Sequence, residues 1–456
     1  MASTLTLHRP AQNRQGPKVR RSGLSRRPPS LVIAGALMVA VASCSHSRDD
    51  ALPDLEGTDL EVVAVWQDAE AEAFEAVLAG FESRTGATVT YSSTGDRDIT
   101  AVLDDRITSG DPPDLAVLPQ PGLIERYART GAILPADDVV SAEVRSGWGP
   151  VWQRLGSFDG RLFGVWFKVA NKSLVWYSLG TFERAGLVPP EDLGGLADIA
   201  RSLATQGVPA FSVTGAASDA WTVTDWFENL YLRIAGPERY DALAAHQLPW
   251  TDPSVATTLR TMAELLRSDL VTTADGAGTT FPQAVAAVFS PRARAAMVME
   301  GDFVPGVVAG ATSAEVGVDV DVFAFPGRAA ADRFVVGGGD AAVLMRASSA
   351  GQALLRYLAS TDAAAIWAER GGFISPNAML DLTTYPDPTT RRIARSLLEA
   401  GDGFRFDLSD LQPAEFGGTT GAGMWAELAS FLTNPTDVEG TMARLEATAT
   451  AAWGDG

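Results

Sequence analysis

"LEVVAVWQDAEAEAFEAVLAGFESRTGATVTYSST", Leu60–Thr94, decides the fold. Leu60–Trp66 is a short apolar run of strand length. Phe74, Val77, Leu78 and Phe81 then recur at helical spacing, and Gly86 stands just past the last turn, where helices end. "ATVTYSST", Ala87–Thr94, is a second strand. The same alternation continues: "DITAVLDDRITSG" (Asp98–Gly110) is a helix closed by Gly110, "DLAVLP" (Asp114–Pro119) a third strand, and "GLIERYARTG" (Gly122–Gly131) a helix closed by Gly131. Strands alternating with helices of this length form βαβ units and a parallel sheet. Ligands of such sheets sit beyond the carboxyl ends of the strands. Here those ends are "WQDAE", "TGDRD" and "PQPG".

Beyond Arg161 the pattern changes. "RLFGVWFKVANKSLVWYS" (Arg161–Ser178) has two apolar runs around a polar, cationic turn and reads as a strand crossing into a second lobe, then another strand. Helices near Thr181–Ala185, Gly195–Gln206 and Asp225–Ala235 belong to that lobe. "FSPRARAAMVMEGDFVPGVVAG" (Phe289–Gly310) reads as a helix, a short strand and a loop opening another helix. "RFVVGGGDAAVLM" (Arg333–Met345) looks like a crossing back, and "AGQALLRYLASTDAAAIWAERGG" (Ala350–Gly372) supplies two helices of the first lobe. A mature chain of roughly 400 residues also exceeds what one core serves, which predicts two lobes.

The amino-terminal region carries a different signal. "LVIAGALMVAVASCSHSRDD" (Leu31–Asp50) holds Cys44, the single cysteine of 456 residues. A disulfide within the chain has no second partner, and a metal site lacks ligands, the nearest being His46. The apolar run is shorter than the roughly 20 residues of a membrane span but has the length of a signal-peptide core. Arg20, Arg21, Arg26 and Arg27 precede it. Val41, Ala42 and Ser43 before Cys44 resemble the lipobox of bacterial lipoproteins, whose cysteine carries diacylglycerol and becomes the mature amino terminus. An ordinary signal peptide with a free cysteine is the alternative. Residues 1–43 carry seven basic and no acidic side chains, so their removal takes the net charge from −20 to −27. An acidic mature chain argues against nucleic acid and against docking on anionic lipid through basic residues.

"GFESRTGATVTYSS", "DPPDLAVLPQPGLIERYARTGAILPADD", "KSLVWYS", "MVMEGDFVPG", "VGGGDAAVL" and "GGFISPN", in this order, resemble the extracellular solute-binding lipoproteins of bacterial ABC importers. The likeness is to the carbohydrate-binding branch, and "PQPG" with "KSLVWY" narrows it to the α-glucoside type. The resemblance runs from about Leu60 to Ala452 and implies an α/β, two-lobed, periplasmic-binding-protein-like fold. Each lobe is a mostly parallel sheet flanked by helices, and a multi-strand hinge joins the lobes near Lys168, Val335 and Pro376. The implied division is a lipoprotein signal peptide over 1–43, a lipidated tether over 44–58, lobe 1 over 59–168 plus 335–375, and lobe 2 over 169–334 plus 376–456. A sugar would sit between the lobes, and closure would present it to ABC permease subunits served by a separate ATPase. The chain itself has no phosphate-binding G-x-x-x-x-G-K-[ST] loop. A monomer held on the outer face of the cytoplasmic membrane by lipid on Cys44, with no cofactor and no metal, is expected.

A sugar needs charged or amide partners for its hydroxyls and aromatic faces for its C–H surfaces. Trp66 is such a face or a core ring, and Asp68 and Glu70 are sugar ligands or helix-start charges. Asp96 is a helix cap or, with Arg97, a hydroxyl partner. Gln120, between prolines, offers an amide that donates and accepts. "DAWTVTDWFEN" (Asp219–Asn229) brackets Asp225 between Trp221 and Trp226, one of which is expected in the core. With Thr224 as cap, Trp226 would lie in the first helical turn. Glu300, Asp302 and Phe303 are placed on a loop, where the resemblance makes Phe303 the stacking ring. Asp340 follows three glycines that permit close approach of backbone and ligand, or caps a hinge turn. Trp425 matches a late aromatic of related sugar receptors, and the loop "FDLSDLQPAEFGG" before it (Phe406–Gly418) is placed at the cleft edge.

Two other classes compete. A glycosidase would use paired carboxylates, which are plentiful here, but no G-x-S-x-G elbow and no zinc spacing occur. A receptor for a glycerophosphodiester, a charged oligosaccharide or a peptide is the other. A phosphate ligand would favour a basic cleft, whereas these segments are acidic and aromatic.

Overall fold

The computed structural model describes residues 52–95, 97, 99–272, 278–329 and 331–454. The expected signal peptide over residues 1–43, Cys44 and Asp96 lie outside the described residues. The opening strand Asp59–Ala64 pairs in parallel with Thr88–Ser93 on one side and Leu115–Leu118 on the other. The intervening helix, Asp68–Thr85, buries Phe74, Val77, Leu78 and Phe81. Each such burial stabilises by about 1.5–3 kcal/mol. The helix ends at Gly86, whose φ of 73° is left-handed and whose N–H reaches the Glu82 carbonyl. Leu115–Leu118 is buried throughout as an inner strand, while the edge strand Thr88–Ser93 is partly exposed.

Among the described residues two large sheets form, one per lobe. The first runs Phe404–Phe406, Val335–Leu344, Leu115–Leu118, Asp59–Ala64, Thr88–Ser93, and Gly164–Asn171 also pairs with Val335–Leu344. The second runs Val320–Ala324, Leu174–Ser178, Met297–Met299, Phe211–Ser212, Val271–Thr272. As expected, most strands of each sheet run one way, and each sheet also holds antiparallel pairings. In the first sheet the antiparallel pairings are made by Val335–Leu344, and in the second by Leu174–Ser178. These strands lie at the passages between the lobes. Trp66, Phe74, Phe167 and Trp367 lie in the first core; Phe211, Trp226, Phe227 and Trp250 in the second.

The hinge lies where these strands meet. Gly164–Asn171 runs almost directly into Leu174–Ser178, so the first passage falls at Lys172 and Ser173, just past Lys168. Val335 opens the strand that leads back. The third passage lies near Asp407 rather than near Pro376. Phe404–Phe406 still pairs with Val335–Gly337 of the first sheet, while helix Pro388–Ala400 before it buries Ile393, Ala394 and Leu397 in an apolar cluster that also takes in Trp176 and Val322 of the second sheet. Leu408 then joins the second core. The apolar stripe of that helix shows that it covers a core, not which one.

The glycine run also acts differently from the expectation. A Cβ on Gly337 would sit 2.4 Å from the Ala170 carbonyl, so the glycines let two hinge strands approach closely. Asp340 lies within the strand, not at a turn, and the register places it opposite Lys168.

Candidate functional site

Two groups of carboxylates, each around one lysine, lie where the lobes meet. The first gathers around Lys168. Its ammonium meets Glu70 Oε1 at 2.7 Å. Asp340 faces it across the strand pair, and Asp302 is also within its electrostatic reach. Burial works against the charge of Lys168, but Glu70 and then Asp340 more than offset it, so its pKa is raised. The Asn171 N–H donates to Asp302 Oδ1 at 2.7 Å. The nearby Trp66 indole favours the charged form of the Asp340 carboxylate. Burial nevertheless pushes both Asp302 and Asp340 up to about 6, against the pull of Lys168. Both remain partly open to solvent. These acids come from both lobes: Glu70 and Asp340 from the first, Asp302 from the loop after Met297–Met299 of the second.

The second group is closed. Lys172 Nζ lies 2.5 Å from Asp407 Oδ2 and 3.4 Å from Asp225 Oδ1. Glu228 accepts from the Leu408 and Ser409 N–H groups at 2.8 and 3.1 Å. Asp407 Oδ1 accepts from the Ser409 hydroxyl and the Asp410 N–H. Asp225, Glu228, Glu300 and Asp407 are buried. Burial pushes Asp225, Glu228 and Glu300 well above the usual carboxylate range, and their neighbouring acids add to it. Asp407 goes the other way, because Lys172 outweighs its burial. Oxygens of Asp225, Glu228 and Asp407 lie within 4.8 Å of one another, a spacing that suits a cation. The Lys172 ammonium sits against two of the three.

Between the groups, Gln120 Nε2 donates to Asp410 Oδ1 at 3.0 Å, joining the end of a first-lobe strand to the loop that enters the second lobe. Burial and then the charge of Asp407 push Asp410 up to about 7. An aromatic group borders Lys172. Trp221 packs edge-on to Phe281 and Phe303, with ring centroids 5.3 and 5.9 Å away, and the ammonium stands 5.6 Å from the Trp221 centroid. Gly301 permits the fold of Phe303, since a Cβ there would meet its ring at 2.4 Å.

The sequence-derived residues therefore divide. Glu70, Gln120, Trp221, Asp302, Phe303 and Asp340 come together between the lobes. Trp66 is a core ring, packed 4.8 Å from Phe74 and 4.9 Å from Trp367, with its indole near Asp340 of the group. Three expectations of ligand contact are corrected. The helix begins at Trp221, not after a Thr224 cap, which turns Trp226 into the second core against Phe211 and Phe325. Asp225 is wholly buried against Lys172. Glu300 continues the pairing of its strand, with its N–H on the Leu174 carbonyl, and is buried beside Asp225 rather than carried on an open loop. Asp68 is exposed with φ 48° and joins neither group. Arg97 pairs with Asp105 on the surface at 3.4 Å. Trp425 is half-buried on helix Gly423–Thr433, and its buried indole N–H has no acceptor among the described residues. Lys172, Glu228, Asp407 and Asp410 were not singled out as site residues. The cationic turn holds Lys172, the tryptophan-rich segment Asp219–Asn229 holds Glu228, and the loop after Phe406 holds Asp407 and Asp410.

The model of the family described as bacterial extracellular solute-binding protein matches residues 67–365, and the chain belongs to that family. Among curated relatives, Osmoprotective compounds-binding protein GgtB of Synechocystis sp. is 29% identical over 382 residues, covering 81% of this chain and 89% of the relative. Alpha-glucosides-binding periplasmic protein AglE of Rhizobium meliloti is 29% identical over 397 residues, covering 83% and 84%. Among solved structures, the bacterial solute receptor AcbH, described with an exclusive preference for b-D-galactopyranose, superposes with a TM-score of 0.72 at 21% identity, covering 86% of this chain and 99% of that one. The two-lobed solute-binding fold is thereby shown.

Proposed function

We propose that this protein is a lipid-anchored extracytoplasmic receptor that binds an oligosaccharide of the α-glucoside class between its lobes and delivers it to an ABC permease. The observation that carries the reading is the meeting of half-buried carboxylates from both lobes, Asp302 and Asp340, beside the Lys168–Glu70 pair. Carboxylates with free lone pairs accept from vicinal hydroxyls. The Trp221 and Phe303 rings offer apolar faces for sugar C–H surfaces. A ligand that touches both lobes binds the closed form better and shifts the population toward it. The name of AglE, an α-glucoside binder, supports the ligand class, and the name of GgtB fits a small polar solute.

Binding without turnover is the corresponding chemistry, since the named relatives are binding proteins. Lipid on Cys44 would hold a monomer at the outer face of the cytoplasmic membrane, beside permease subunits whose ATPase is a separate chain. Thermal shift of the Cys44→Ser chain against maltose, trehalose, sucrose, galactose, a glycerophosphodiester and a short peptide tests the ligand class. A ligand bound only by the native state raises the melting temperature. A rise with α-linked glucosides, recovered intact, is expected. A rise only with galactose, the phosphodiester or the peptide overturns the class, and released monosaccharide overturns the absence of turnover. Loss of membrane retention in the Cys44→Ser chain tests the anchor.

A further inference from the structure

We propose that Lys172 is a positioning residue that sets how readily the two lobes close, a role that rests on the receptor reading above. All three passages of the chain between the lobes meet at this residue. Lys172 is itself in the first passage, and its N–H donates to the Val336 carbonyl of the second at 2.9 Å. Its ammonium holds Asp407 of the third at 2.5 Å. On the second-lobe side it reaches Asp225 and stands over the Trp221 ring, and its carbonyl accepts from Asn229 Nδ2 at 3.0 Å.

From there a line of contacts runs back to the first lobe. Asp407, fixed by Lys172, accepts from the Asp410 N–H at 3.1 Å and the Ser409 hydroxyl at 2.6 Å. This turn presents the Asp410 carboxylate to Gln120 of the first lobe at 3.0 Å. A lysine that only neutralised buried acids would have no need to sit at the three passages. Here its ammonium fixes the turn on which the interlobe contact stands.

Cys44 is the only cysteine of the chain, so the Cys44→Ser chain with Gln120→Cys and Asp410→Cys carries a single thiol pair at that contact. The rate of disulfide formation under a mild oxidant, without sugar, reports how often the lobes meet there. Lys172→Met in this background is expected to slow the rate about tenfold, as loss of a partly buried ion pair shifts a conformational equilibrium. Lys172→Arg, which restores the charge, is expected to stay within about threefold of the parent. A parent rate in folded Lys172→Met, or no rescue by Lys172→Arg, overturns the proposal. Should Lys172→Met show no cooperative melting, Asp407→Asn replaces it. That variant keeps the shape but removes the charge, and it is expected to slow the rate at least about threefold; a parent rate there overturns the proposal equally. Fluorescence titration of the Cys44→Ser chain with maltose, trehalose and sucrose separates the two readings. Rates that respond to Lys172 while no sugar binds support the hinge assignment and overturn the ligand class. Sugar binding with rates indifferent to Lys172 does the reverse.

Discussion

Lys168 and Lys172 stand in one stretch of chain, each facing several carboxylates, yet they serve different ends. Around Lys168 the acids keep unused lone pairs. Asp302 accepts from one backbone N–H, Asp340 lies near the Trp66 indole, and both are partly open to solvent. Around Lys172 the acids are buried; backbone N–H groups of Leu408, Ser409 and Asp410 occupy Glu228 and Asp407, while Asp225 Oδ2 and Glu300 Oε1 have no hydrogen-bond partner among the described residues. The residue types are the same. What separates a recognition site from a scaffold here is whether water, and so a ligand, reaches the acceptor positions that the fold leaves unfilled.

The sharpest way to break this contrast is to exchange the two tryptophans of one helix. Trp226→Ala should cost about 3–5 kcal/mol in urea unfolding, as removal of a core ring does. Trp221→Ala should leave stability within about 1 kcal/mol and lower sugar affinity instead. Equal losses of stability would place both rings in the core.

Next in size is Glu228→Ala, which strips two buried N–H groups of their acceptor. A loss of about 3 kcal/mol is expected in the same measurement. A loss below about 1 kcal/mol would show that the closed group is not a scaffold.

Asp340→Asn should weaken sugar binding about tenfold or more in fluorescence titration, the weight of a charge-assisted hydrogen bond, with no loss in melting temperature. Unchanged affinity would remove Asp340 from the site.

The pH dependence follows from the raised values of Asp302 and Asp340, about 6 in the folded chain. Between about pH 4 and 6 the native state keeps protons that the unfolded chain has lost, so the stability from these groups falls as pH rises through that window and is level above it. The difference in melting temperature between the parent chain and the Asp302→Asn, Asp340→Asn double variant should therefore change across that window and stay constant above it. Sugar affinity should change in the opposite sense, weakening as pH falls through 6 and the carboxylates gain protons. A difference that stays constant across the window would place both groups at ordinary values.

The smallest effect belongs to the exposed pair of Arg97 and Asp105. Arg97→Ala should move stability by less than about 0.5 kcal/mol and leave sugar affinity unchanged. A tenfold loss of affinity would return Arg97 to the site.

Much of the fold was legible because its signals are local. Phe74, Val77, Leu78 and Phe81 share one helical face whatever surrounds them, and Gly86 ends that helix through its own backbone freedom. Trp221 close to Asp225, Asp302 beside Phe303 and Asp340 after three glycines were candidates by their chemistry. Trp226 and Glu300 have the same composition as their neighbours and were misplaced. A helix that starts a few residues early turns every side chain that follows, and a strand that keeps pairing buries the residue expected in its loop.

The sequence by itself determined the α/β alternation and the kinds of side chain available to a site, which follow from periodicity, local backbone preference and composition, and its length and family resemblance pointed to two lobes. Only the tertiary structure decided which acids lie open beside Lys168 and which are closed around Lys172. That choice depends on strand register, on close backbone approach at Gly337 and on desolvation, and each of these arises only when segments far apart in the chain meet.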